Sequence, residues 1–83
     1  MKQTVSLEQF KGQSARVKLI HQIYGIDVMN IGSFQPLVAE NKIGFIFQGR
    51  EIFLYNHEVE EIEIRNYLYI ITGKLFTIQL QFV

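Results

Sequence analysis

The strongest constraint on this chain is its period of two. Near its C-terminal end Phe76, Ile78, Leu80 and Phe82 alternate with Thr77, Gln79 and Gln81, the pattern of a strand with one apolar and one polar face. The same alternation sets Ala15, Val17 and Leu19 against Arg16 and Lys18, spaces Ile43, Phe45 and Phe47, and sets Ile62 and Ile64 against Glu61, Glu63 and Arg65. Composition agrees with it. Twelve isoleucines and six valines outnumber the seven leucines, two methionines and two alanines together, and eleven aromatics are added. Such residues suit a pleated surface, and the best helix formers are scarce. At 83 residues there is room for one small domain. With no cysteine, its core holds by packing, without disulfides or thiolate-bound metal.

Turn chemistry divides the alternating segments. Gly25, the stretch Gly32-Ser33-Phe34-Gln35-Pro36, Asn41-Lys42, Gln48-Gly49-Arg50, Arg65-Asn66 and Gly73-Lys74 each interrupt the pattern. Ahead of them Ser6-Leu7-Glu8-Gln9 fits a capping box, and Gly12 suits a helix stop. The reading is mostly β: a short N-terminal helix at about residues 7–11, then a small antiparallel β-barrel or strongly curled meander of six to seven strands. One domain spans residues 1–83, with 1–13 as the helical lead-in and 14–83 as the β body. Leu7 and Phe10 are expected to lie against an open end of the sheet.

The longest apolar run, Tyr67 to Ile71, falls far short of the ~20 residues of a spanning helix. The first residues lack the apolar core of a signal peptide. The expectation is a cytoplasmic protein that does not engage membranes. The last strand carries no charge after Lys74, and an edge strand needs closure, charge or a partner. Two arrangements satisfy this: a closed barrel, or a homo-oligomer built through the C-terminal edge strand.

The net charge of zero hides a polarity. Residues 1–50 hold six basic and three acidic side chains, whereas residues 51–83 hold two basic and five acidic. Neutrality overall argues against a general polyanion binder. The densest polar cluster is His57-Glu58-Val59-Glu60-Glu61-Ile62-Glu63. It lacks the glycine turn of a calcium loop, and reads either as a solvated face or as a docking patch for a basic partner. Tyr67 and Tyr69 are read on one strand face, where tyrosines suit protein recognition or ordinary sheet packing. Arg16 and Lys18, followed by Tyr24, could contact phosphates and stack a base, or form the wet face of a first strand. His21 falls at the inward register of that strand and is expected as a hydrogen-bonded core residue. No serine stands in a nucleophile elbow, and no glycine-rich phosphate loop occurs. No catalytic residue, cofactor or metal is implied.

Three short motifs resemble the Sm-like family, in its bacterial Hfq branch, over about residues 6–62. Tyr24-Gly25-Ile26 is similar to that branch's Asn-Gly-Ile turn, Ile31-Gly32-Ser33-Phe34-Gln35 to its Ser-Phe-Asp turn, and Tyr55-Asn56-His57 to its Tyr-Lys-His motif. The resemblance implies a ring-forming RNA-binding protein with Tyr55 and His57 near an RNA pore. Gln35 and Asn56 depart from the acidic and lysine positions of those motifs, and two further strands after Ile64 have no counterpart.

The functional expectation is a small non-catalytic binding protein that acts through a protein–protein interface. Its contacts would come from Glu58, Glu60, Glu61 and Glu63 docking on a basic surface, with Tyr67 and Tyr69 as anchors. Phage or mobile-element inhibitors and adaptors include small cysteine-free β proteins of this kind. RNA binding through Tyr55, His57, Arg16 and Lys18 is the alternative.

Overall fold

The computed structural model describes residues 7–83, so the expected cap at Ser6 lies outside the described residues. Eight strands follow a 3-10 turn at Leu7–Phe10: β1 (Ala15–His21), β2 (Gly25–Ile31), β3 (Gln35–Val38), β4 (Lys42–Phe47), β5 (Arg50–Tyr55), β6 (Val59–Arg65), β7 (Leu68–Gly73) and β8 (Phe76–Phe82). All pairings are antiparallel. They form a five-stranded sheet in the order β2-β1-β8-β7-β6 and a three-stranded sheet in the order β3-β4-β5.

Three expectations are corrected here. The sheet does not close into a barrel. After β5 a second 3-10 turn, Asn56–Glu58, carries the chain out of the small sheet and into the large one. There are eight strands rather than six or seven, one of them β3, a four-residue edge strand that includes Pro36, a residue that edge strands tolerate. The expected N-terminal helix is a four-residue 3-10 turn, too short to stand without the packing of Leu7 and Phe10.

The last strand is not an edge. β8 pairs with β1 from Ala15↔Phe82 to His21↔Phe76 and with β7 on its other side. The backbone groups of β8 are therefore spent within the sheet, and the strand is not the open edge that the sequence pattern suggested.

Both sheets share one core. Val17, Ile31, Tyr69, Ile71, Ile78, Leu80 and Phe82 from the large sheet meet Phe45 and Leu54 from the small one. Phe34, in the β2–β3 link, bridges them: its ring is edge-on to Phe82 at 4.9 Å and 5.9 Å from Phe45. Backbone bonds hold that link, from Gly12 N–H to the Phe34 carbonyl and from Phe34 N–H to the Gln13 carbonyl, each 2.8 Å. Gly73 seats Leu54 closely, since a Cβ there would lie 3.0 Å from a Leu54 methyl.

Candidate binding surface

The register of the large sheet fixes what its outward face carries. Residues that alternate with the core line up in three rows across all five strands. One row reads Val28, Lys18, Gln79, Ile70, Glu63 from β2 to β6. The next reads Asn30, Arg16, Gln81, Leu68, Arg65, and the third Ile26, Ile20, Thr77, Thr72, Glu61. The face is thus graded, with cations on β1, uncharged side chains on β8 and β7, and on β6 the carboxylates of Glu61 and Glu63 beside the cation Arg65. Three strand spacings separate its poles, ~14 Å at ~4.8 Å each. A shallow concavity lined by Arg16, Lys18, Val28, Gln79 and Gln81 opens at the basic pole.

The acidic cluster divides by local structure. Glu58 turns back on the chain, where its Oε1 accepts a hydrogen bond from the Tyr55 N–H at 3.1 Å. Glu60 stands in the bulge that shifts the β6 register between Val59 and Glu61. Glu63 is paired with the Arg65 guanidinium on the same face. Glu60 and Glu61 are exposed and make no ion pair among the described residues. Among the described residues no group of three His, Asp or Glu side chains is placed to hold a metal ion.

Tyr67 and Tyr69 do not share a surface. Tyr67 lies in the β6–β7 turn, after Asn66 at φ 52°, and is 59% exposed. Tyr69 points into the core at 3% exposure, with its ring edge-on to Phe10, and burial raises its hydroxyl pKa. Its register was already visible, because it alternates in step with Ile71 and against Leu68 and Ile70.

The residues named for RNA lie in two separate places. Arg16 and Lys18 are on the outward face of the large sheet, whereas Tyr55 ends β5 of the small sheet and His57 follows it in the 3-10 turn. The Tyr55 and His57 rings stack at 5.7 Å and 18°, and Phe53 meets Tyr55 edge-on at 5.1 Å. Lys42 Nζ sits 4.5 Å from the Phe53 centroid and 3.3 Å from Glu51. Sequence reasoning missed Phe53 and Lys42 because only the β4–β5 register brings them together.

His21 is not a core residue. At the end of β1 its Nδ1 accepts hydrogen bonds from the Ile23 and Tyr24 N–H groups at 3.1 and 3.3 Å, closing the β1–β2 turn. No helix among the described residues is long and apolar enough to cross a membrane. No protein-family model, curated protein or solved structure matches the chain.

Proposed function

We propose that the protein is a non-catalytic binding module that engages another protein through the outward face of its five-stranded sheet, as an inhibitor or adaptor. The observation that carries the reading is the gradient across that face, from Arg16 and Lys18 on β1 to Glu61 and Glu63 on β6, with exposed Glu60 in the adjoining bulge. A face with opposite poles recognises direction as well as charge, because a partner turned end for end meets like charge at both poles. The uncharged middle, with Gln79, Gln81, Ile70 and Leu68, supplies hydrogen bonds and apolar contact between the poles. The partner fitting this face carries an acidic patch and a basic patch about one sheet width apart.

Capture from the native host with charge-reversed baits tests this. Arg16→Glu with Lys18→Glu, and separately Glu60→Lys with Glu61→Lys, are expected to lose the same captured protein while circular dichroism stays unchanged. Capture unaffected by both pairs would end the reading.

The stacked Tyr55 and His57 rings favour a second reading, an RNA-binding protein of Sm-like type. With Lys42 and Phe53 they make a small aromatic and cationic platform on the other sheet, of the sort on which bases stack. A uridine-rich oligonucleotide would then quench tyrosine fluorescence in the wild type but not in Tyr55→Ala. No binding at micromolar protein in physiological salt would dispose of it.

A further inference from the structure

The open sheet edges of this molecule are guarded unequally against strand addition, and β2, with the one charge of Asp27, is guarded least. β6 has a bulge and the carboxylates of Glu60, Glu61 and Glu63. β3 is four residues long and contains Pro36. β5 begins with the charged pair Arg50 and Glu51. Bulges, charges, proline and shortness are the devices that keep edges from pairing. β2 runs seven residues in unbroken register with β1, without lysine, proline or bulge, and no strand pairs on its other side among the described residues. Along that edge Ile26 and Val28 are 61% and 53% exposed.

We infer that β2 is a self-association edge, pairing antiparallel with β2 of a second copy to make one ten-stranded sheet. The charges favour a second copy in this register. The single charge on β2, Asp27, stands one residue from the midpoint Val28. Centring the two-fold on Val28 overlaps all seven residues, sets Val28 against Val28 of the second copy and Ile26 against Asn30, and places Asp27 opposite Met29. Centring it on Asp27 instead would oppose two carboxylates directly, which is unfavourable. Joining β6 to β6 would bring the glutamates of two copies together. Joining β2 to β6 would set carboxylates beside Ile26 and Val28 and leave further edges open, a head-to-tail contact that does not close. In the β2–β2 arrangement the Arg16 and Lys18 rows of the two copies stand three strand spacings apart, ~14 Å, beyond the ~8 Å screening length at physiological salt.

Analytical ultracentrifugation of the full chain over a wide concentration range tests the inference. The expected species is a dimer, twice the 9.7 kDa chain mass. Val28→Lys, which opposes two cations at the centre, is expected to give monomer with unchanged circular dichroism. Ile26→Glu alone should weaken the dimer, and Ile26→Glu combined with Asn30→Lys should restore it, because the centred register alone brings positions 26 and 30 of the two copies together. A monomer at every concentration, a ring of six or more, or a dimer indifferent to Val28→Lys would overturn it. Failure of the double variant to recover would overturn the register. Because these substitutions leave Arg16, Lys18, Glu60 and Glu61 in place, the outcome is separate from that of the charge-reversal captures.

Discussion

Phe10 lies flat on Phe82, with ring centroids 4.1 Å apart and planes 5° from parallel. The pair joins the 3-10 turn before the first strand to the end of the last one. Both rings are buried, and Phe10 also meets Tyr69 edge-on. Phe10→Ala removes the lid over that end of the core. A buried Phe→Ala change costs about 3 kcal/mol or more, a large part of the stability of a small domain. Urea unfolding monitored by tyrosine fluorescence would show the midpoint shift, with little loss from Lys11→Ala next to it.

Gly44 faces Phe53 across β4 and β5 and leaves no space for a side chain. A Cβ on Gly44 would run into the Ile52 carbonyl oxygen and come within 2.6 Å of the Phe53 Cα. The obstacle is backbone, so no rotamer change relieves it. Gly44→Ala is expected to destabilise by at least ~1–3 kcal/mol, as overpacking does, and to loosen the Lys42–Phe53 contact. Gly32→Ala, where nothing lies within 4 Å of the added methyl, is the control and should be tolerated. Thermal denaturation of the two variants separates these outcomes.

Stability should fall in alkali through Tyr69. Burial holds its hydroxyl neutral above its ordinary value of about 10. Its folded pKa is thus higher than its unfolded one. The contribution is fully present below the unfolded pKa and is lost as pH rises through the folded pKa. Unfolding free energy measured across this range should decline above about pH 10 in the wild type. Tyr69→Phe should reduce the slope of that decline, whereas Tyr67→Phe, at an exposed position, should leave it.

The Asn56–Glu58 turn is held by side chains as well as backbone. Asn56 donates from Nδ2 to the Glu40 carbonyl at 2.8 Å, its N–H donates to the Asn41 carbonyl at 2.9 Å, and Glu58 accepts from Tyr55. Glu58→Ala is expected to cost about 1 kcal/mol, in the range of a lost cap, with Glu58→Gln retaining most of it. Amide exchange at Tyr55 should quicken in the first variant and change little in the second.

The strands were legible because each buried face alternates with its wet face along the chain. Ile78 and Leu80, both fully buried, are flanked by Thr77, Gln79 and Gln81 as the spacing requires. The division into two sheets was not legible. Leaving the small sheet depends on Asn56 reaching the β3–β4 turn, and a neighbour in space is not written in local periodicity. The acidic run was legible as a cluster, but its separation into a cap, a bulge and an outward face depends on the β6–β7 register. Tyr69 shows a readable signal put to the wrong use, since the alternation that ties it to Ile71 already points it inward.

The pairing of β1 with β8 also governs how the chain acquires its structure. These two strands share seven backbone pairs, yet every other strand lies between them in sequence. During synthesis the β1–β2 hairpin emerges first and waits with Val17 and Ile31 uncovered until β8 has left the ribosome. The large sheet therefore cannot be completed until β8 has been made, and such distant pairing slows folding. Through that interval the hairpin is open on both sides, at β1 toward its missing neighbour and at β2.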